Sequence, residues 1–588
     1  MTYRAPVSET LFFMEHCTSL NEIAGKGAQA DLSLDLVQSV LEEAGKFAAE
    51  RLAPLNRQAD QIGSKLVNGV VVTPPGWKEA YKDWIAGGWN GLSGPVEYGG
   101  QGLPVMVASA AFEFWSSAAM SFGLCPLLTF AGVDALDAHG SEELKKTYLE
   151  KMVSGEWPGT MQLTEPQSGS DLANLRTKAV PQGDGTYKIS GTKIFITYGE
   201  HDMTDNIIHL VLARLPDAPA GTKGISLFLV PKFLVNKDGS LGKRNDVRCQ
   251  SVEHKLGIHA SPTCVMVYGD EGGATGYLVG DENKGLNCMF TMMNNARLGV
   301  GVQGVAIAER ATQQALQYSR DRKQGKAPGS KDLSPIGEHP DVKRMLMTMR
   351  ALTNASRAIC LRTASALDLA HSSSDPAAKK QASEEASLLT PIAKSFSTEA
   401  GMEAATLGVQ VHGGMGFIEE TGAAQHMRDA RITAIYEGTN GIQAIDLVGR
   451  KIGQSGGETL KRLMNEYRNT ANEVAKSNDP AFGKTAQRLN ETLDALERAT
   501  KYMFEAMNRD QAEALAGATP YQKLFGLASG GSYLAQAALA ERMEGGPAGR
   551  VAIARFFAEN LCTQAQGLEL TVTEGAASVS YTDTILVA

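Results

Sequence analysis

The segment GEWPGTMQLTEPQSGSDLANLRTKAVPQGDGTYKISGTKIFIT (155–197) marks a change from helical to β-rich sequence. Its last twelve residues (186–197) combine β-branched and aromatic residues with turn signals, which predicts a strand. Short apolar runs rich in branched residues follow at 206–215, 224–232 and 261–269. We therefore predict a compact β domain, roughly over residues 159–280.

Helical sequence lies on both sides of this β domain. Residues 31–52 place six apolar side chains on one helical face: Val37, Val40, Leu41, Ala44, Phe47 and Ala48. Ala-rich helical sequence returns from Met292 to Val448, whereas the glycine-rich segment 87–104 and the segment 323–340 are predicted loops. The order helix, strand, helix argues against a nucleotide-binding sheet in which strands and helices alternate throughout.

The length of 588 residues requires several domains. GQSGG (453–457) is a predicted linker, and Leu489, Leu493, Leu496 and Met503 beyond it repeat at helical spacing. The last residues, 568–588, are predicted to be strand-like or irregular. We predict five units: an N-terminal extension (1–38), a helical domain (39–158), the β domain (159–280), a helical bundle (281–452) and an extra C-terminal domain (458–588).

Composition and charge limit the possible functions. The net charge of −9 makes nucleic acid an unlikely partner. The seven cysteines form no C-x-x-C pair, which argues against a disulfide framework or a zinc site, and no metal is predicted. The uncharged stretch 114–133 is interrupted by Gly123 and Pro126, so we interpret it as two buried helix segments that meet there rather than as a membrane span. We expect a cytoplasmic protein.

The segment GVGVQG (299–304) matches the dinucleotide-binding pattern G-x-G-x-x-G. That pattern requires a preceding strand and a following βαβ unit, whereas CMFTMMNNARL (288–298) has the character of a helix. We interpret the small residues as a close helix–helix contact.

Three other segments could carry chemistry. LTEPQSGSDLANL (163–175) offers hydroxyl groups and backbone N–H groups that can form an anion-binding turn. VHGGMG (411–416) lets a flat or anionic ligand approach the backbone. Glu437 ends an apolar segment before Gly438, where burial would raise its pKa and make it a better base. Each has an ordinary alternative: a domain junction, a turn and a solvated helix end.

Together these segments resemble the acyl-CoA dehydrogenase family over about residues 31–450. The resemblance rests on six motifs in family order: GWNGLSGPVEYGGQGLP (88–104), GEWPGTMQLTEPQSGSDL (155–172), ISGTKIFIT (189–197), EHKLGIHASPT (253–263), VQVHGGMGF (409–417) and RDARITAIYEGTNGIQ (428–443). It implies a mainly α protein with a helical domain, a central β-barrel-like domain and a four-helix bundle, here followed by an appended helical domain. FAD would lie between the β domain and the bundle and would also contact a second subunit.

The resemblance also implies site residues. The positions that match flavin contacts are Met161, Leu163, Thr164, Ser170, Phe195, Thr197, Arg322, Gln410, Gly413, Gly414 and Thr439. The positions that match contacts to the CoA ester are Ser170, Asn294, Arg297 and Gly438. The family usually has Trp at position 195, Asp at 294 and Gln at 340, where this chain has Phe, Asn and Pro.

In this family, Glu437 would be the base that removes the α-proton of an acyl-CoA, and the β-hydride would pass to FAD to yield the trans-2-enoyl-CoA. Electrons would then pass to an electron-transfer flavoprotein. The length and the extra domain resemble a bacterial subgroup that includes 3-(methylthio)propanoyl-CoA dehydrogenases of dimethylsulfoniopropionate catabolism and medium- and long-chain fatty acyl-CoA dehydrogenases. We predict the first activity and a homodimer. The alternatives are a fatty acyl-CoA dehydrogenase, an acyl-CoA oxidase, a non-catalytic acyl-CoA-binding protein and an NAD enzyme.

Overall fold

The N-terminal part of the chain is helical. The computed structural model describes residues 3–579 and 585–586, and describes only the backbone of Ala28. The helices before the β domain are α1 (Val7–Cys17), α2 (Leu20–Ile23), α3 (Leu34–Phe47), α4 (Ala53–Ile62), α5 (Trp77–Ala86), α6 (Val105–Ala118), α7 (Met120–His139) and α8 (Glu142–Ser154). Helix α3 buries Val37, Leu41 and Ala44 on the predicted face.

The uncharged stretch forms two buried helix segments, as predicted, but the position of the break was wrong. Helices α6 and α7 meet at Ala119, and Pro126 lies inside α7. Pro126 is the seventh residue of α7, beyond the first turn, so it removes one helical hydrogen bond. The helix nevertheless continues through it, because tertiary packing of its buried residues can override local propensity. Helix α7 has the length and hydropathy to cross a membrane, yet 83% of its most apolar stretch is buried inside the protein. It is therefore a core helix of the fold.

The β domain consists of a mixed main sheet and a separate two-stranded sheet. A hairpin of β1 (Lys65–Val67) and β2 (Val70–Val72) lies earlier in the chain, within the helical part. The strands of the β domain are β3 (Gly159–Gln162), β4 (Lys178–Pro181), β5 (Thr186–Thr197), β6 (Ile208–Ala213), β7 (Ser226–Pro231), β8 (Phe233–Val235), β9 (Leu241–Arg244), β10 (Val247–Val252), β11 (Thr263–Tyr268) and β12 (Ala274–Val279). The main sheet has the order β10-β11-β5-β12-β7-β6-β3, with β4 also pairing β5. β3 and β6 run parallel, and the other pairs are antiparallel. All four predicted strands are present.

Long helices follow the sheet. They are α9 (Gly285–Asp321), α10 (Pro340–Ser372) and α11 (Pro376–His412), with the shorter α12 (Ala423–Ala430) and α13 (Asn440–Asp446) packed against α11. GVGVQG lies inside α9, with no strand directly before it. A Cβ on Gly304 would lie 2.3 Å from the backbone oxygen of Ser397, and one on Gly301 would lie 2.8 Å from that of Ala393. The motif therefore allows α9 and α11 to approach closely, as predicted.

This contact gives a first testable prediction. Gly304→Ala should lower the free energy of unfolding by about 1–3 kcal/mol, because the added methyl group must displace the backbone of α11. The matched control is Gly567→Ala, at an exposed helical position where an added Cβ meets no atom within 4 Å. Thermal unfolding should show a lower midpoint for the first variant and an unchanged or higher midpoint for the second. Equal midpoints would contradict the packing role of Gly304.

The appended unit is helical and packs on the bundle. Its helices are α14 (Glu458–Ser477), α15 (Thr485–Arg509), α16 (Gln511–Ala516), α17 (Ala518–Met543), α18 (Gly549–Phe556), α19 (Ala565–Glu574) and α20 (Ala576–Val579). We predicted that residues 568–588 are strand-like or irregular, and this prediction was wrong for 568–579, which are mainly helical. The branched residues of α19 lie in a helix because Val572 is buried against the rest of the unit, so packing overrides their β propensity. Residues 580–584 and 587–588 lie outside the described residues.

Helix α1 joins the bundle to the appended unit. Asn354 on α10 donates to one carboxylate oxygen of Glu9 at 2.9 Å, and Arg550 on α18 donates to the other at 2.6 Å. The N-terminal segment is thus part of the folded protein. The boundaries of the five predicted units remain predictions.

Candidate active site

Glu437 lies in a sharp reversal of the chain between a short 3-10 turn (Arg431–Ala434) and helix α13. Its φ of +54° is unusual for a residue with a side chain, and Gly438 follows with φ +85°. Thr439 then caps α13, because its hydroxyl accepts from the backbone N–H of Ile442 at 3.2 Å. The two left-handed residues and the cap fix the backbone of the loop, and Glu437 is half-buried.

Burial raises the pKa of Glu437 to about 7. Two cations, Arg297 of α9 and Lys394 of α11, act in the opposite direction and favour the carboxylate. A carboxylate with a pKa near neutrality is ionised for much of the time at pH 7 and is also basic enough to accept a proton from a weak acid. The electrostatic environment therefore suits Glu437 to general-base chemistry.

Three of the residues predicted to bind the CoA ester, Asn294, Arg297 and Gly438, lie close together at this loop. Arg297 is buried, with Nη1 3.8 Å from Asp446 Oδ2 and 3.5 Å from Asn294 Oδ1. A Cβ on Gly438 would lie 3.7 Å from Arg297 Nη2, which places this guanidinium beside the loop. The fourth, Ser170, lies on an exposed bend of the loop that follows β3.

The predicted flavin-facing loop is attached to strand β5. Met161 is buried in β3, where it pairs with Leu210 of β6. The backbone oxygen of Leu163 accepts from Lys193 Nζ at 3.1 Å, and that of Thr164 accepts from the backbone N–H of Ile194 at 2.9 Å. These bonds hold the loop against the end of β5 that carries Phe195 and Thr197.

A buried ion pair supports the same junction. Lys193 Nζ lies 2.9 Å from Glu165 Oε1, and both side chains are removed from solvent. Glu165 also accepts from the backbone N–H groups of Arg176 and Thr177, at 2.7 and 3.0 Å. These contacts hold the pKa of Glu165 down to about 2, so the pair stays charged near neutral pH and ties the loop to the sheet.

Phe195 presents an aromatic surface to the outside of the sheet. It lies in a β-bulge of β5 opposite β11, with a φ of +61°. Its side chain is 59% exposed although the neighbouring Ile196 is buried. A planar aromatic group placed against this ring would remove that apolar surface from water.

The remaining predicted flavin contacts form a separate group at the far end of the bundle. Gln410 is near the end of α11, Gly413 and Gly414 follow directly, and Arg322 follows α9. The ring of Tyr318 stacks on that of His412 at 4.4 Å, which brings the ends of the two helices together. An added Cβ on Gly413 or Gly414 would meet no atom within 4 Å, so this surface is open.

Comparisons with known sequence families cover nearly the whole chain. Residues 36–156 match the acyl-CoA dehydrogenase N-terminal domain, 160–270 the middle domain and 283–452 the C-terminal domain. Residues 463–583 match a domain described as acetyl-CoA dehydrogenase C-terminal like. The chain belongs to the acyl-CoA dehydrogenase family. It is therefore an FAD-dependent oxidoreductase that acts on CH–CH bonds, and the predicted fold is confirmed.

Relatives of this acyl-CoA dehydrogenase include enzymes of nearly the same length. A 3-methylmercaptopropionyl-CoA dehydrogenase of Ruegeria pomeroyi is 49% identical over 98% of both chains. A butyryl-CoA dehydrogenase of Syntrophomonas wolfei is 34% identical, over 87% of this chain and 86% of its own. The crystal structure of an acyl-CoA dehydrogenase from Bacillus anthracis complexed with FAD has a TM-score of 0.72 at 22% identity, with 93% of this chain and 88% of that chain covered. At that identity the likeness concerns the fold alone.

The residues of this acyl-CoA dehydrogenase fit FAD. The exposed ring of Phe195 provides an apolar surface for a flat ring system. Arg322, at the far end of the bundle, has a positive charge that suits the pyrophosphate of an FAD held by a second subunit, as the resemblance implies. The open glycines at 413 and 414 leave room for a ligand to approach the backbone.

Sequence reasoning missed three buried polar residues around Glu437. Gln303 accepts a hydrogen bond from the hydroxyl of Tyr436, Gln443 donates to the backbone oxygen of Gly438 at 3.3 Å, and Lys394 faces the loop from α11. Lys394 gave a usable signal, since PIAKSF (391–396) places one cation within an otherwise uncharged stretch of helix. The glutamines carried no such signal.

Proposed function

We propose that this acyl-CoA dehydrogenase converts 3-(methylthio)propanoyl-CoA to 3-(methylthio)acryloyl-CoA, with Glu437 as the catalytic base. The relative that is 49% identical over nearly the full length carries the name of this activity, with methylmercapto as the older word for methylthio. The observation that carries the role of Glu437 is its half-buried carboxylate, with a pKa near 7, on a loop of fixed geometry.

The chemistry follows from the two C–H bonds that must break. The α-hydrogen leaves as a proton to the carboxylate of Glu437, and the β-hydrogen leaves with its electron pair. FAD, when bound, accepts that hydride, because no side chain can do so. The pair of electrons from the α-C–H bond forms the new double bond. The backbone N–H of Glu437 would stabilise negative charge that develops on the thioester oxygen, as the resemblance implies.

The pH dependence follows from the ionisation of Glu437. The active form is the carboxylate, so kcat/KM should rise with pH and level off above about 7. Below that pH the rate should fall about tenfold per pH unit, because each unit reduces the ionised fraction tenfold. Measuring kcat/KM against pH with an artificial electron acceptor tests this decrease. A rate that does not change from pH 5 to 8 would contradict the assignment of Glu437 as the base.

A panel of acyl-CoA substrates tests the substrate. We expect the highest kcat/KM for 3-(methylthio)propanoyl-CoA, with butanoyl- and pentanoyl-CoA within about 10–200-fold, because one methylene contributes only about 1–3 kcal/mol to discrimination. The similarity to a butyryl-CoA dehydrogenase favours straight-chain fatty acyl-CoAs as the second candidate. A maximum at medium or long chain length would select that candidate, and hydrogen peroxide release in air would identify an oxidase.

The proposed partners are an electron-transfer flavoprotein as electron acceptor and a second copy of the chain, in the cytoplasm. Support for the dimer comes from apolar residues next to the open glycines: Met415, Phe417 and Ile418 are exposed, Phe417 by 85%. Exposed apolar residues that cluster can mark a protein–protein contact. Light scattering should give twice the chain mass of 62.6 kDa, and a monomer would refute this part of the proposal.

A further inference from the structure

Lys394 is a fully buried lysine in the middle of helix α11. Its Nζ donates to the side-chain oxygen of Asn440 at 2.8 Å. Asn440 is the first residue of α13 and follows Glu437, Gly438 and Thr439 directly. The ammonium group is therefore attached to the point where the loop of Glu437 ends.

Asn440 is held from two further sides. Its Nδ2 donates to Glu399 Oε1 at 2.7 Å and to Thr398 Oγ1 at 3.1 Å, both on α11. The amide thus links one turn of α11 to the start of α13 by directional bonds. The polar groups of this linkage pair with one another, as buried polar groups must.

The charges around Lys394 come from three elements. Glu437 of the loop and Glu399 of α11 favour the ammonium form, and Arg297 of α9 opposes it. Asp446 of α13 interacts instead with Arg297 and Arg450, with its oxygens 3.8 and 2.6 Å from their nitrogens. A buried ammonium is costly unless an anion balances it, and the Glu437 carboxylate, together with Glu399, supplies this balance.

We infer that Lys394 is a positioning residue for proton abstraction, which holds the loop through Asn440 and keeps Glu437 ionised by its positive charge. This inference rests on the proposed role of Glu437. Burial lowers the pKa of Lys394 to about 7, while Glu437 and Glu399 act to raise it. The lysine is therefore charged mainly below pH 7, and its effect on Glu437 should be largest there.

The test uses the full-length, flavin-loaded protein and three variants. Lys394→Met removes the charge at similar length, Lys394→Gln removes the charge but keeps a hydrogen-bond donor, and Lys394→Arg restores the charge. Lys380→Met is the matched control, because Lys380 lies on the same helix, 69% exposed, and pairs with Glu384 at the surface. Flavin content and thermal unfolding confirm that each variant is folded.

The first readout is the midpoint of Glu437 titration in the substrate-free protein. Infrared difference spectroscopy follows the carboxyl band, with Glu437→Gln as the blank. We expect the midpoint to rise by about one pH unit in Lys394→Met and Lys394→Gln, because a nearby cation shifts a carboxyl pKa by about that amount or more. It should stay at or fall below the wild-type value in Lys394→Arg, because arginine keeps its charge at every pH, and it should stay at the wild-type value in Lys380→Met.

The second readout is kcat/KM against pH. At pH 6, Lys394→Met should be about tenfold slower than the wild type, whereas at pH 9 the two should agree within about twofold, because the wild-type lysine is then neutral. An unchanged midpoint, or a loss of rate that is equal at all pH values, would overturn the inference. Full activity of Glu437→Gln would instead overturn the proposed function, so the two failures are distinguishable.

Discussion

Glu437→Gln is expected to lower kcat/KM by about 10⁴-fold, the upper range for loss of a general base, while the protein keeps its flavin. Glutamine has nearly the same shape as glutamate but cannot accept a proton at neutral pH. The flavin should stay bound because the Glu437 side chain is not among the predicted flavin contacts and the change keeps the size of the side chain. Steady-state kinetics measure the loss of kcat/KM, and the visible absorbance of the purified variant measures the bound flavin.

The control for this variant is Glu505→Gln, which makes the same chemical change at an exposed glutamate of the appended unit. Its kcat/KM should equal that of the wild type. If Glu437→Gln keeps more than about a tenth of the wild-type rate, another residue is the base. If it loses the flavin as well, the loop has a structural role in flavin binding that the proposed chemistry does not contain.

The second large effect is expected on stability, at a buried ion cluster between the helical domain and the bundle. Arg357 on α10 is 1% exposed, and its Nη2 lies 2.7 Å from Glu113 of α6 and 2.8 Å from Glu309 of α9. Arg357→Met would leave these two carboxylates buried, with Arg350 still 2.7 Å from Glu309. Loss of one partner from a buried pair costs about 3–5 kcal/mol, so the urea midpoint should fall sharply.

Arg509→Met provides the comparison at the surface. Arg509 on α15 lies 2.6 Å from Glu513, with its side chain 57% exposed. An exposed pair of this kind contributes about 0–1 kcal/mol, so the urea midpoint should hardly change. Equal losses in Arg357→Met and Arg509→Met would show that the buried cluster does not hold the two domains together.

The strands of the β domain show how far the sequence predicts the fold. Residues 186–197 form a strand over their whole predicted length, because β-branched residues and flanking turns favour the same structure. The β1–β2 hairpin was missed, although Asn68 and Gly69 both have positive φ in a two-residue turn and Asn-Gly is a strong signal for such a turn. Residues 568–579 could not be predicted from local propensity, because tertiary packing decides their conformation.

The candidate site shows a similar division. The position of Glu437 followed from its motif, but its pKa depends on Arg297 and Lys394, which are 140 and 43 residues away in the chain. The positive φ of Glu437 and Phe195 also has no signal in the sequence, since residues with these side chains rarely adopt it. Long-range packing places these groups, so their geometry and the pKa of Glu437 could be learned only from the structure.

The central claim is that Glu437 takes the α-proton of a bound thioester. An acyl-CoA without hydrogen on its β-carbon cannot be oxidised, but its α-hydrogens can still exchange with solvent. In D₂O, proton NMR should show loss of the α-hydrogen signal when this thioester is incubated with the wild-type enzyme, and no loss above the blank with Glu437→Gln. Exchange at the wild-type rate in Glu437→Gln would contradict the claim.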